Sequence, residues 1–206
     1  MSGNMKTVDG EEFKKYGKKL ENFDFISSIN QLEQEIDFKV PLLGNDYISS
    51  VPKLEKSPLY KWLKKDIFGN LPMQLGICAG NNQQISAVEY HMGSEVVIAL
   101  RDCIISLGKV ADMQNGSYDG SLMETFLLKR GTAIELFSHT LHYSPLVYQE
   151  PYITLVALLR GTNDTLEKSP TNQMLLAKNK YMIVHPSRID KIAQGALPNF
   201  HNTLLD

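Results

Sequence analysis

Residues 89–100 read EYHMGSEVVIAL and join a polar cluster to an apolar run. Their first seven positions hold two carboxylates and an imidazole, and the apolar run VVIAL that follows is typical of a buried strand. Alternate side chains of a strand lie on one face, so Glu89 and His91 are predicted to point the same way. After a tight turn over residues 92–94, Glu95 is expected to return to that face on the next strand. The three side chains are therefore predicted to converge.

Short apolar segments continue on both sides of this stretch, from about residue 72 to residue 160. They are rich in Val, Ile and Leu, and polar or glycine residues separate them. Eight segments at this spacing predict an all-β sandwich or barrel. The strand candidates are 73–79, 83–91, 94–102, 103–110, 123–131, 132–138, 141–148 and 152–161. The polar residues 111–121 between them predict a loop at the rim.

The two ends of the chain differ from this central part. Residues 1–71 are charged and predict an arm with a short helix capped by Asp9 and a second short helix over 58–66. Residues 161–206 contain one more apolar segment at 174–185 and are expected to pack on the barrel or across a dimer interface. The sequence thus divides into an N-terminal arm at 1–71, a β domain at 72–160 and a C-terminal extension at 161–206.

Composition narrows the possible functions. A net charge of -2 and a pI near 6.2 make nucleic acid a poor partner. The longest apolar runs are far shorter than the roughly 20 residues of a membrane helix, and residues 1–20 lack a secretory pattern, so a cytoplasmic protein without membrane partners is expected. Cys78 and Cys103 are predicted to be buried thiols. Phosphate-loop and serine-elbow motifs are missing from the sequence, which argues against nucleotide hydrolysis and serine chemistry.

Carboxylates and imidazole together suit a divalent ion such as Zn, Mn, Fe, Ni or Co. Three ligands on one hairpin normally leave room for a further group, which is expected from a strand across the barrel. A candidate segment lies about fifty residues on, where residues 129–145 read KRGTAIELFSHTLHYSP and include His139 and His142. The plainer alternative is a polar hairpin whose charges are solvated.

These two segments resemble the paired motifs of the cupin superfamily, small β-barrels that hold a metal in their mouth. Glu89 stands where the first histidine of the first motif usually stands, His91 is the second histidine and Glu95 the carboxylate. Gly108 closes this motif. The resemblance implies a cupin-type double-stranded β-helix, a jelly-roll barrel. A glutamate at position 89 keeps a ligand but changes the charge of the site.

In the second motif, which Gly131 opens, the histidine position of the family falls on His142, and His139 ranks below it. The resemblance therefore implies a divalent metal held by Glu89, His91, Glu95 and His142. Within the superfamily the two segments are similar to ureidoglycolate lyase and to a group of bacterial cupin-like proteins of about this length.

The function implied is a metal-dependent enzyme acting on a small oxygen-rich metabolite, with Glu89 and Tyr143 as candidate catalytic residues. Isomerisation of a sugar or uronate and lyase chemistry on a ureido or hydroxy acid both remain open. The alternative is a non-catalytic barrel that binds a small molecule or carbohydrate. A homodimer is expected, because cupin-like barrels commonly pair and the proline-punctuated arm at 41–72 suits a contact with a neighbour.

Basic residues and the remaining histidines have weaker assignments. By position alone, some of the basic residues can reach an anionic substrate at the mouth, although a solvated surface position is favoured for each. His185 and His201 are interpreted as surface or interface residues. The basic candidates are Lys129, Arg130, Lys178 and Lys180.

Overall fold

Strands make up 35% and helices 20% of the chain in this computed structural model, which describes residues 5–202. The all-β fold class expected from the sequence is therefore confirmed. The strands are β1 (Lys6–Thr7), β2 (Gly17–Lys19), β3 (Asn45–Ile48), β4 (Met73–Gly80), β5 (Ala87–Tyr90), β6 (Glu95–Ala99), β7 (Cys103–Lys109), β8 (Tyr118–Asp119), β9 (Glu124–Leu128), β10 (Ala133–Leu136), β11 (Thr140–Leu141), β12 (Leu146–Val147), β13 (Tyr152–Leu159), β14 (Leu175–Ala177), β15 (Lys180–Val184) and β16 (Phe200–His201).

Two facing sheets exchange strands along the chain. The first sheet has the order β2-β10-β6-β13-β4-β3, and the second places β9, β11 and β12 around β7. Strand β5 joins the second sheet through a bridge between Glu89 and His142, and it also pairs with β15. From β4 to β13 the chain therefore passes between the sheets in the manner of a jelly roll, as the cupin-type expectation required.

The apolar run of β13 is buried on both faces, which explains why it shows no alternation. Ile153 and Leu155 pack in a core between the first sheet and the helices. Val156 and Leu158 face the other way and pack in a second core between the two sheets. The first sheet is thus a central layer with apolar contacts on each side.

Helices cover the outer face of this layer. They are α1 (Phe25–Glu35) and α2 (Pro58–Trp62), which continues as a π-helical turn at Leu63–Ile67. The short helix α3 (Ile189–Ile192) instead packs beside β5 and β15. Asp24 caps α1 by accepting a hydrogen bond from the backbone N–H of Ser27, and Ile29 and Leu32 bury the inner face of the helix. Short 3-10 turns lie at Glu11–Lys15, Leu54–Lys56, Val110–Asp112 and Gly120–Leu122.

Several local predictions are corrected. The short helix near the N-terminus is a 3-10 turn preceded by Gly10, and the Asp9 side chain does not cap it but pairs with Lys19 at 2.7 Å. Helix α1 is not among the elements expected from the sequence, whereas the helix expected over 58–66 is confirmed by α2 and its π-helical turn.

Three β predictions also need changes. The loop expected at 111–121 contains β8, whose Tyr118 is fully buried, and β8 pairs with β16. The strand expected at 141–148 is split into β11 and β12, and the apolar segment at 174–185 is a hairpin of β14 and β15. The rest of the C-terminal tail, residues 203–206, lies outside the described residues, as do residues 1–4 of the arm.

The segments before and after the jelly roll contribute to its sheets. Strands β2 and β3 lie at the two edges of the first sheet, and β15 extends the second sheet beyond β5. The division at residues 71 and 160 stays an interpretation of the sequence. Within residues 5–202 no helix has the length and apolar composition that spanning a bilayer requires.

Candidate metal centre

Glu89 and His142 are brought together by backbone pairing. The N–H of Glu89 donates to the carbonyl of His142 at 2.7 Å, and the N–H of His142 donates to the carbonyl of Glu89 at 3.0 Å. Residues paired in this way across antiparallel strands project their side chains next to each other. His142, separated from Glu89 by more than fifty positions, therefore sits beside it in the same sheet.

Glu95 approaches from the opposite sheet, which corrects the predicted hairpin. Strand β5 belongs with β15 and the second sheet, whereas β6, which begins at Glu95, lies in the first sheet between β10 and β13. Residues 91–94 thus cross between sheets and do not form a tight hairpin turn. The convergence still holds, because Glu95 Oε2 lies 3.3 Å from Nε2 of His91 and 3.3 Å from Nε2 of His142.

Three side chains are close enough to share one ion. A carboxylate oxygen of Glu89 and one ring nitrogen each of His91 and His142 lie within 4.8 Å of one another, and this group can hold a metal ion. Glu95 is buried directly against both rings. The structure therefore brings all four residues predicted as ligands, Glu89, His91, Glu95 and His142, into one cluster.

Hydrogen bonds to backbone carbonyls set the orientation of both imidazoles. Nδ1 of His91 donates to the carbonyl of Asn179 at 2.9 Å, and Nδ1 of His142 donates to the carbonyl of Thr140 at 2.7 Å. A carbonyl can only accept, so each ring carries a proton on Nδ1 and turns Nε2 toward the cluster. Such carbonyl partners are typical of imidazoles that ligate a metal.

Two buried atoms of the cluster have unmet polar requirements. Nε2 of His91 and Oε2 of Glu89 are buried without a hydrogen-bond partner. Buried polar atoms are normally satisfied, so this pair of electron-pair donors suits the binding of a cation. Lys180 Nζ lies 2.6 Å from the same Glu89 oxygen and supplies charge without the alignment of a hydrogen bond. The donor set fits a divalent ion.

Lys180 is one of the four basic residues for which a solvated position was favoured, and that interpretation was wrong. It begins β15, and its side chain is only 18% exposed because β15 pairs with β5 beside the cluster. Lys129, Arg130 and Lys178 do lie at the surface. They pair with Asp102 at 2.7 Å, Glu33 at 2.6 Å and Glu167 at 3.7 Å, respectively.

Charge coupling within the cluster is strong. Burial lowers the pKa of His142, but Glu95, through its charge and its hydrogen bond, and then Glu89 outweigh burial and raise that pKa to about 9. Burial raises the pKa of Glu95, but His142 and His91 outweigh it, and the pKa falls below its ordinary value. Burial likewise opposes ionisation of Glu89, and Lys180, His91 and His142 lower its pKa. Without a metal, the cluster holds ionised carboxylates and a protonated His142.

The cluster opens into a cavity of about 310 Å³ between the two sheets. Apolar side chains form much of the wall, including Val97, Ile105, Leu136 and Val156. Tyr143, predicted as catalytic, also lines it, and its hydroxyl accepts a hydrogen bond from Arg188 Nη1 at 3.3 Å. Burial raises the pKa of Tyr143 despite Arg188, so the phenol is neutral.

The other histidines and the cysteines lie in different settings. His139 has a φ of 67° and an exposed ring stacked on Tyr90 with centroids 5.6 Å apart, outside the cavity wall. Of the two histidines interpreted as surface or interface residues, His185 is buried beside Ser187 and His201 is exposed. Cys78 and Cys103 are free and buried, as expected.

Sequence reasoning missed two residues next to the cluster. Asn179 holds His91 through its carbonyl, and Lys191 lines the cavity from α3. The segment AKNK at 177–180 carried a usable signal, since asparagine between apolar segments favours a turn. Asn179 indeed has a φ of 56°, in the left-handed region. Lys191 had no signal in the sequence.

A family model described as a domain of unknown function (DUF4867) matches residues 5–202. No curated protein matches the chain. Among solved structures, the formate complex of oxalate decarboxylase from Lactobacillus farciminis is 17% identical, with a TM-score of 0.33, over 47% of this chain and 26% of that chain. EvdO2 from Micromonospora carbonacea var. aurantiaca, complexed with 2-oxoglutarate, is 14% identical, with a TM-score of 0.49, over 76% of this chain and 91% of that chain.

The 11S globulin from Wrightia tinctoria, described with an auxin binding site, is 12% identical, with a TM-score of 0.33, over 41% of this chain and 23% of that chain. The chain thus spans about a quarter of the length of the decarboxylase and of the globulin. None of these scores reaches 0.5, so the assignment of the fold rests on the strand topology.

Proposed function

Since the chain belongs to the DUF4867 family, we propose from its own cavity that it is a metal-dependent cupin-type enzyme acting on a small oxygen-rich metabolite. The observation that supports this most directly is the buried cluster of Glu89, His91, Glu95 and His142, in which Nε2 of His91 and Oε2 of Glu89 lack hydrogen-bond partners. The proposed metal is divalent, and Zn, Mn, Fe, Ni and Co all suit this donor set.

A bound metal would supply Lewis acidity toward a carbonyl or hydroxyl oxygen of the substrate. The chain itself would do the rest. The backbone carbonyls of Asn179 and Thr140 orient the two imidazoles, and the apolar wall limits water around the cluster. The neutral hydroxyl of Tyr143 can donate a proton to a substrate oxygen in the cavity. Glu89, ionised beside Lys180, is the candidate base when it does not serve as a ligand.

Two reaction classes, isomerisation and lysis, are compatible with this site. Isomerisation of a sugar or uronate needs proton transfer next to a polarised carbonyl, and so does lysis of a ureido or hydroxy acid of the ureidoglycolate type. A cavity of about 310 Å³ suits a small metabolite in either case. A small-molecule substrate, a cytoplasmic location and the absence of nucleic-acid or membrane partners belong to the same proposal.

Elemental analysis of the purified protein tests the metal. We expect one divalent ion per chain in the wild type, and a loss of most of it in His91→Ala and in His142→Ala, because each change removes a ligand. His139→Ala is the matched control, since its exposed ring lies outside the cavity, and it should keep the metal. A wild type that stays free of metal after incubation with each of the five ions contradicts the proposal.

A second candidate function is a metal-free barrel that binds a small molecule or carbohydrate without turnover. The contact of 2.6 Å between Lys180 and Glu89 favours it, because a lysine ammonium already places a positive charge next to the cluster. Lys180→Met separates the two candidates. Metal binding should persist in this variant if the ion is the natural occupant, and the metal-loaded wild type should turn over a uronate, ketose or ureido acid that the metal-free wild type does not convert.

A further inference from the structure

Two lysines line the cavity in addition to the four cluster residues. Lys180 comes from β15, and Lys191 comes from α3, the short helix near the C-terminus. Both therefore belong to the segment that follows the last jelly-roll strand. Their ammonium groups share the cavity with the carboxylates of Glu89 and Glu95, so charges of both signs line it.

Lys191 has no acidic partner among residues 5–202. Its Nζ contacts only the neutral amide of Gln194, at 3.3 Å. The nearest basic neighbour on the same segment, Arg188, differs in this respect, because Asp190 accepts hydrogen bonds from its Nε and Nη2, each at 2.8 Å. Burial, Lys180 and Arg188 lower the pKa of Lys191 and outweigh the charges of Asp190 and Glu89, which raise it.

Lys180 also keeps donor capacity. An ammonium has three donors, and Glu89 is the one carboxylate that pairs with Lys180 within the described part of the chain. Once a divalent ion binds, its two charges are balanced by Glu89 and Glu95. The two lysines then remain uncompensated in a cavity with apolar walls, where fields are less screened than in water.

We propose that Lys180 and Lys191 bind a carboxylate group of the substrate, which makes the substrate a small hydroxy or oxo acid and not a neutral sugar. The inference rests on the proposed function, because the oxygen next to that carboxylate is taken to face the metal. Since Lys180 lies 2.6 Å from Glu89, a carboxylate held by Lys180 places its neighbouring carbon beside the cluster. A carboxylate is favoured over a phosphate, because phosphate sites typically use backbone N–H groups of a loop or of a long helix, whereas both donors here are side chains.

Calorimetric titration of the Co²⁺-loaded protein with three compounds of one carbon skeleton tests this assignment. The compounds are glycerate, glycerol and glycerol 3-phosphate. We expect glycerate to bind at least about tenfold more tightly than glycerol, as the pairing of one buried charge implies. Tighter binding of glycerol 3-phosphate than of glycerate overturns the assignment to a carboxylate, and equal binding of glycerate and glycerol overturns the subsite.

Variants of Lys191 locate the subsite. Lys191→Met should weaken glycerate binding by about tenfold and leave glycerol binding unchanged, whereas Lys191→Arg should restore most of the preference. Lys178→Met is the matched control, since Lys178 lies at the surface and pairs with Glu167, and its glycerate affinity should equal that of the wild type. Wild-type affinity in Lys191→Met overturns the proposal.

The Co²⁺ content of each sample shows whether a negative result contradicts the metal centre or only the carboxylate subsite. A wild type that binds no Co²⁺ overturns the proposed function together with this subsite. A wild type that binds Co²⁺ without any preference for glycerate overturns the subsite alone and leaves the metal centre standing.

Discussion

Each imidazole of the cluster depends on a residue that the cupin resemblance did not supply. His91 is held by the carbonyl of Asn179, which lies 88 positions further along the chain, and His142 by the carbonyl of Thr140. Asn179 makes two more contacts, because its Oδ1 accepts from the N–H of Met92 at 2.7 Å and its Nδ2 donates to Thr162 at 3.2 Å. Both His91 and the start of the crossing segment are thus fixed by one turn residue.

Replacing Asn179 with alanine should weaken metal binding by about tenfold, at the lower end of what partners of metal ligands typically contribute. The change removes the contact to Met92 and puts alanine, which adopts the left-handed region less readily than asparagine, at a φ of 56°, which shifts the carbonyl that orients His91. Titration with Co²⁺ measures the affinity, and the visible spectrum of the bound ion reports its ligand set.

Asn179→Gly is the matched variant, because glycine adopts the left-handed conformation freely. It should keep the carbonyl in place and recover part of the lost affinity. An alanine variant with the affinity and spectrum of the wild type would show that this turn does not position His91.

The segments before and after the jelly roll contact it through particular strands. On the N-terminal side, Glu124 of β9 joins the arm to the second sheet. It pairs with Lys6 of β1 and with Lys15, and it accepts a hydrogen bond from the Tyr16 hydroxyl at 2.9 Å. Burial raises the pKa of Glu124, but the two lysines and the tyrosine outweigh it and lower the pKa from its ordinary value of 4.5 to about 2.

A carboxylate whose pKa is lowered by folding stabilises the fold at pH values above its ordinary pKa. This contribution is lost as the pH falls toward the pKa of the folded state. The wild type should therefore lose stability between pH 4.5 and pH 2 more steeply than Glu124→Gln, by on the order of 2 kcal/mol. Urea unfolding at a series of pH values measures this difference.

Glu11→Gln serves as the control for that series. Glu11 forms an ion pair with Lys14 in which both side chains are mostly exposed, and exposed pairs contribute little. The stability of the Glu11→Gln variant should follow that of the wild type at every pH. Parallel curves for Glu124→Gln and the wild type would rule out the proposed role of Glu124.

On the C-terminal side, the hairpin of β14 and β15 brings two residues next to the candidate metal centre. Because β15 pairs with β5, its first residue, Lys180, lands beside Glu89, and the turn before it places Asn179 beside His91. Both contacts arise from the register in which Tyr181 faces Tyr90 and Met182 faces Glu89. A shift of one residue would turn the side chains of β15 to the other face.

The surface of the molecule carries exposed apolar side chains near one sheet edge. The arm that was expected to contact a neighbour presents apolar side chains to solvent, with Leu42 93% and Leu43 88% exposed. They precede β3, the edge strand of the first sheet, where Ile48 is 55% exposed. Apolar residues next to an unpaired strand edge are typical of an interaction surface.

We therefore predict a homodimer that uses this edge. Light scattering should give about twice the chain mass of 23.2 kDa, and the double change Leu42→Glu and Leu43→Glu should lower it to that of one chain. The matched control is Leu122→Glu, an exposed leucine on the 3-10 turn at Gly120–Leu122, which should leave the mass unchanged. A wild-type mass near 23.2 kDa would exclude the dimer.

The sequence by itself determined most strands of the central part of the chain and the set of residues that form the cluster. Runs such as 152–159 are apolar because both faces of the strand are buried, and this is a local property that composition records. The spacing of Glu89, His91 and Glu95, together with the resemblance that singled out His142, also sufficed to name the residues that now lie together.

Only the tertiary structure decided how these residues meet. It placed β5 and β6 in different sheets, paired Glu89 with His142 along the backbone, and brought Lys180 and Lys191 into the cavity. Each of these outcomes depends on which strands pair and in which register. Strand pairing is set by hydrogen bonds and packing between segments far apart in the chain, and the local alternation of polar and apolar residues does not encode it.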